Sequence, residues 1–131
     1  MEIFNMKHLF VSYEIALQLK EKGFDEDCFG FYNNADGNVW IKHEIPNDIK
    51  EIYTGDIAAP LFQQVVDWFR EKHDLHISIE SYNQDEKEKE IEYEYSYIIV
   101  TRKNYPTVPN LFYNTYYEAL NEAIEEAVKL I

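Results

Sequence analysis

Ala58-Ala-Pro-Leu-Phe-Gln-Gln-Val-Val-Asp-Trp-Phe-Arg-Glu-Lys72 is the stretch around which this chain is organised. Its spacing predicts a buried helix. Pro60 suits a first helical turn, where its missing N–H would have no intrahelical partner, and Asp56 just before it is a candidate cap. Leu61, Val65, Trp68 and Lys72 fall on one line of such a helix, and Phe62, Val65, Val66 and Phe69 on the adjoining line. An apolar stripe this wide, carrying Trp and two Phe, fits burial against a sheet. An aromatic ligand groove is the alternative reading of the same stripe.

Upstream, Ser12 is a candidate N-cap with Glu14 in the first turn, and Ile15, Ala16 and Leu19 form an inner face. Gly23 supplies a left-handed stop, and Phe24 can fold back onto the last turn. Phe29–Tyr32 and Val39–His43 read as two short strands joined through Asn33-Asn-Ala-Asp-Gly-Asn38, a hairpin with a longer loop. Residues 44–57 read as a surface connection.

Downstream, Leu75, Ile77 and Ile79 alternate with His76, Ser78 and Glu80, the period of a half-buried strand. Asn83–Glu90 is polar throughout and reads as an exposed turn. Ile91–Thr101 reads as the longest strand, with Ile91, Tyr93, Tyr95, Tyr97 and Ile99 on one face and Glu92, Glu94, Ser96, Ile98 and Val100 on the other. The second face begins charged and ends apolar. Its far half is therefore expected to be covered on both sides, by a central position or a subunit contact. Lys103–Asn114, with Pro106 and Pro109, reads as a loop. Thr115-Tyr-Tyr-Glu118 has capping-box spacing and opens a helix. That helix is expected to turn Tyr117, Leu120, Ile124, Ala127, Val128 and Ile131 inward and Glu118, Glu122, Glu125 and Glu126 to water.

The expected fold class is α+β, in the order helix, hairpin, helix, hairpin, helix. The economical arrangement is one domain, residues 1–131, with a four-stranded, mainly antiparallel sheet and the helices on one face.

Twenty-five acidic residues against twelve basic ones give a formal net charge of −13. Such a field repels phosphate backbones, so direct nucleic-acid binding is disfavoured, and solubility or a basic partner is the better inference. An acidic inhibitor that mimics DNA is a further possibility of the same charge. The one cysteine, Cys28, has no internal disulfide partner. No basic region followed by an apolar run opens the chain, and no stretch has the length to span a bilayer, so a cytoplasmic protein is expected.

Catalytic signals are sparse. There is no glycine-rich phosphate loop, no nucleophile elbow and no His-Glu-x-x-His pattern. Cys28 and His43 stand near opposite ends of the first predicted hairpin and could meet as nucleophile and base. Against that, Asp25, Glu26 and Asp27 oppose thiolate formation. His73 and His76 have a metal-like spacing, but a helix end is expected between them and no third ligand is near, so no metal or cofactor is expected. Arg70 reads as one half of an ion pair.

Three segments carry a resemblance. Phe10-Val-Ser-Tyr-Glu-Ile-Ala-Leu-Gln-Leu-Lys20 with Gly23-Phe-Asp-Glu-Asp-Cys-Phe-Gly-Phe-Tyr32 resembles the opening of small uncharacterised phage and prophage-type bacterial proteins. Ala59-Pro-Leu-Phe-Gln-Gln-Val-Val-Asp-Trp-Phe-Arg-Glu-Lys72 resembles their middle motif, and Tyr117-Glu-Ala-Leu-Asn-Glu-Ala-Ile124 their end. The likeness covers about half the chain. Asp27 stands where such proteins often have Pro, and Phe31 where they have Tyr. The resemblance implies a mobile-element origin and an intracellular setting, and carries no activity to transfer.

With fold signals throughout and catalytic signals few, the favoured expectation is a non-enzymatic module that binds another protein or itself. Tyr82, Ile98 and Val100 are the expected contact surface. The alternatives are a small enzyme using Cys28 and His43, and the acidic inhibitor.

Overall fold

The computed structural model describes residues 7–33, 37–41, 57–83, 93–103 and 105–131. His43, Asp56 and most of the two polar connections lie outside the described residues. The fold is α+β and divides into two compact units, Met1–Val65 and Val66–Ile131.

In the first unit, α1 (Tyr13–Glu21) starts where Ser12 accepts a hydrogen bond from the Ile15 N–H at 3.3 Å. It buries Ile15, Ala16 and Leu19, the inner face anticipated by spacing. Gly23 ends it at φ 93°. The Gly23 N–H donates to the Lys20 carbonyl and the Phe24 N–H to the Leu19 carbonyl. That pair of bonds closes a Schellman motif, with buried Phe24 folded back beside buried Leu19.

Three short strands follow: β1 (Gly30–Tyr32), β2 (Val39–Ile41) and β3 (Ile57–Ala59). β1 is central and pairs antiparallel with both neighbours, so the order is β2-β1-β3. Gly30 sits in the row Ile41–Gly30–Ala59, and this narrow row makes room for the ring of Phe10. α1 packs against β3.

β3 is a strand where a connection and the start of a helix are expected, and the second helix starts later than its spacing predicts. α2 runs Phe62–His73, not from Ala58. Pro60 lies outside it: its carbonyl accepts from the Val11 N–H at 3.0 Å, and Leu61 bridges Phe10. Ile57-Ala-Ala is too short for its pattern to separate strand from helix, and pairing with the free edge of β1 decides it. The apolar stripe itself is buried as expected, at Phe62, Val65, Val66, Trp68 and Phe69.

The second unit holds the rest of α2, then β4 (His76–Asn83), β5 (Tyr93–Val100) and α3 (Tyr116–Lys129). β4 and β5 pair antiparallel without interruption, from His76↔Val100 to Asn83↔Tyr93. Asp74, at φ 50°, takes the chain from α2 into β4, and the Leu75 N–H reaches back to the Phe69 carbonyl. α3 packs against both strands. Its cap is Thr115, whose hydroxyl accepts from the Glu118 N–H at 3.2 Å.

Among the described residues the expected single four-stranded sheet is therefore corrected to a three-stranded and a two-stranded antiparallel sheet. The physical reason is edge use. β3 occupies the second edge of β1, while β4 pairs with β5. The helix-hairpin alternation is likewise interrupted by β3 ahead of α2. In α3 the buried face is Ala119, Leu120, Ala123, Ile124, Ala127 and Val128. Tyr117 is exposed, not inward, while Glu122, Glu125 and Glu126 are half-buried rather than turned fully to water. No helix among the described residues is long and apolar enough to cross a membrane.

Candidate functional site

The β4–β5 ribbon has two unlike faces, because side chains alternate along each strand. On one face Ile77, Ile79, Tyr97 and Ile99 share rows, and Tyr97 and Ile99 are only 4% and 1% exposed. The other face presents His76 beside Val100, Ser78 beside Ile98, Glu80 beside Ser96 and Tyr82 beside Glu94. None of these eight residues is buried. Tyr82 is 45% exposed and Val100 43%, with Ile98 half-buried.

Tyr82, Ile98 and Val100 thus do share one face, with Ile98 and Val100 two residues apart on β5 and Tyr82 towards the far end of β4. The expected full cover over the end of β5 is absent within the chain's described residues. β5 does take a central position: Tyr95 and Ile99 form bridges to Tyr113 and Thr107 on the edge away from β4.

Those bridges bring in a residue the sequence reading passed over. Phe112, 54% exposed, lies beside the bridging Tyr113, and its ring stands 5.4 Å from that of Tyr82, edge to face. It belongs to a stretch read as loop because of Pro106 and Pro109. The apolar run Leu111-Phe-Tyr113 within that loop was the available signal.

On the covered face the ring of Tyr97 stacks on Tyr113 at 6.2 Å. Burial, then Tyr113 and the carboxylates of Glu126 and Glu122, push the Tyr97 hydroxyl up to about 12. Burial first, and then Glu122, raises Glu125 above the ordinary carboxylate range. In each case burial works against the charged form.

The other sequence candidates are placed apart. Cys28 is buried, 7% exposed, and its thiol donates to the Glu26 carbonyl at 3.4 Å. That environment fits a small core residue better than an accessible nucleophile. Its proposed partner His43 is outside the described residues. His73 stacks edge to face on Trp68 at 4.7 Å, whereas His76 contacts the Asp74 carboxylate at 3.1 Å, which also pairs with Arg102 at 2.5 Å. Among the described residues no group of three or more His, Cys, Asp or Glu converges as a metal site. Arg70 pairs with Asp67 at 2.6 Å, one helical turn away and exposed, as the sequence suggested.

A shallow groove of about 440 Å³ lies in the first unit, lined by Ala16, Lys20, Phe24, Asp25, Glu26 and Ala58 together with Gly23. Its lining includes one amine, Lys20, and two carboxylates, Asp25 and Glu26. Compared with family models, curated proteins and solved structures, the chain matches none.

Proposed function

We propose that the chain is a binding module that engages another protein or itself, and that the contact lies on the open face of the β4–β5 ribbon. The observation carrying this reading is that half-buried Ile98 and exposed Tyr82 and Val100 share one face of the β4–β5 ribbon, with the exposed ring of Phe112 against Tyr82. Aromatic and aliphatic groups on a rigid strand pair are the usual anchors of a protein contact. Glu80 and Glu94 on the same face, together with the net charge of −13, favour a neutral or basic partner surface. A mobile-element origin and an intracellular setting belong to the same reading, supported by the resemblance of the three segments.

The test combines light scattering with partner capture by the purified chain and its Ile98→Glu variant. The expected result is self-association or capture that the variant loses, with its urea midpoint little changed. A strict monomer whose partner capture survives Ile98→Glu would overturn the assignment of this face.

A further inference from the structure

Among the described residues β4 is bonded along one edge only. Its partner β5 has β4 on one side and the bridges to Tyr113 and Thr107 on the other. Those bridges fix the direction of every peptide group in the ribbon. In an antiparallel strand a residue sends its N–H and its C=O to the same neighbour, and successive residues alternate sides. Tyr95 and Ile99 exchange both bonds with Tyr113 and Thr107. Glu94, Ser96, Ile98 and Val100 therefore face β4, where they meet Tyr82, Glu80, Ser78 and His76. The alternate residues Ile77, Ile79 and Ser81 point their peptide groups away from the ribbon, and among the described residues no strand is bonded to them.

Of the features that normally block pairing, this edge carries one carboxylate, Glu80, and none of the others among the described residues. His76-Ile-Ser-Ile-Glu-Ser-Tyr-Asn83 contains no Pro, no Lys and no bulge, since its register with β5 runs one to one throughout. Ile77 and Ile79 stay half-buried although they share a face with buried Tyr97 and Ile99. An edge with open peptide groups and incompletely covered aliphatics is suited to a further strand.

We propose that the further strand is β4 of a second copy, paired antiparallel about a two-fold axis at Ile79, giving a continuous β5–β4–β4–β5 sheet. The choice of a second copy rests on self-complementarity. An axis at Ile79 sets Ile79 against Ile79 and Ile77 against Ser81 as hydrogen-bonded pairs, each exchanging two bonds. On the open face it sets His76 against Tyr82 and Ser78 against Glu80, so no charge directly faces a like charge. An axis at Glu80 would oppose two carboxylates, and an axis at Ser78 would shorten the overlap and leave Tyr82 unpaired. The pairing also joins the two open faces into one surface that presents Tyr82, Ile98 and Val100 twice. The proposal rests on reading the chain as a binding module and names the partner of this edge.

The test is analytical ultracentrifugation of the full chain over a concentration series, with amide hydrogen exchange read residue by residue. A dimer is expected, with exchange at Ile77, Ile79 and Ser81 slowing about tenfold or more as it forms. Ser78 and Glu80, already bonded to β5, are expected to change little. Ser81→Pro, which removes only an outward N–H, is expected to give a folded monomer. Ser78→Glu is expected to weaken the dimer by facing Glu80, and adding Glu80→Lys to restore it. A monomer up to millimolar concentration overturns the proposal. So does a dimer whose Ile79 and Ser81 amides stay unprotected and which Ile98→Glu dissociates, an outcome that leaves the open-face reading standing. Protection appearing only with an added unrelated protein overturns the second copy as occupant.

Discussion

The Tyr32 hydroxyl donates a hydrogen bond to the backbone carbonyl of Val11. It ties the centre of the three-stranded sheet to the chain just ahead of α1, and the ring meets Tyr13 edge to face at 5.3 Å. Val11 is fully buried, so water cannot readily replace the lost donor. Tyr32→Phe is expected to cost about 1–2 kcal/mol, read as a lower urea midpoint with unchanged slope.

The same burial governs alkaline stability. Burial and then Glu14 push Tyr32 up to about 12, and Tyr97 stands at about 12 for burial and its Tyr113, Glu126 and Glu122 neighbours. Both values are raised in the fold. Their stabilising share is therefore complete below the ordinary 10.0 and is lost as pH climbs towards about 12. In a phenolate absorbance titration Tyr32 and Tyr97 are expected to ionise above 10.0, together with unfolding. Tyr32→Phe and Tyr97→Phe variants that each remove a transition near 10.0 from an intact fold would contradict this.

Two glycines should fail for different reasons. A Cβ on Gly30 would stand 3.0 Å from the Phe10 ring, 3.2 Å from Val39 and 3.3 Å from the Trp40 carbonyl. Gly30→Ala is expected to cost about 1–3 kcal/mol as overpacking, and Gly30→Asn more. Gly23 has open space around it but a φ of 93°. There the cost of Ala is conformational, about 1 kcal/mol, and Asn should be the milder change. Chemical denaturation of the four variants would show the two orders reversed.

Trp68 is buried and touches Phe69 at 5.2 Å and His73 at 4.7 Å between ring centres. Trp68→Ala is expected to cost about 3–5 kcal/mol. An unchanged urea midpoint would take Trp68 out of the core.

Glu125 has the opposite sign from a paired surface acid. Its value in the fold is raised above 4.5, first by burial and then by Glu122. The group therefore favours the fold most below the ordinary carboxylate range, and that share is lost as pH rises through its folded value. Glu125→Gln, which can still accept from Asn121, is expected to raise the thermal midpoint at neutral pH. The gain should vanish in acid.

Local chemistry was legible wherever its cause lies within a few residues. Ser12, Gly23 with Phe24, and Thr115 are caps or stops whose hydrogen bonds close within three to five residues, so the sequence places them correctly. The period of β4 and β5 and the stripe Phe62, Val65, Val66, Trp68 and Phe69 were equally readable, because burial follows side-chain direction. The candidate face was readable in the same way: alternation alone puts Ile98 and Val100 on one side of β5.

Capping, stopping and lining residues could be assigned from residue order, since those rules act between near neighbours. Long-range packing makes Ile57–Ala59 a strand, sorts the described strands into two sheets and brings Phe112 to Tyr82. Each depends on a partner distant along the chain. A three-residue segment has too little pattern of its own, so a free β edge or an exposed ring elsewhere in the fold settles its structure.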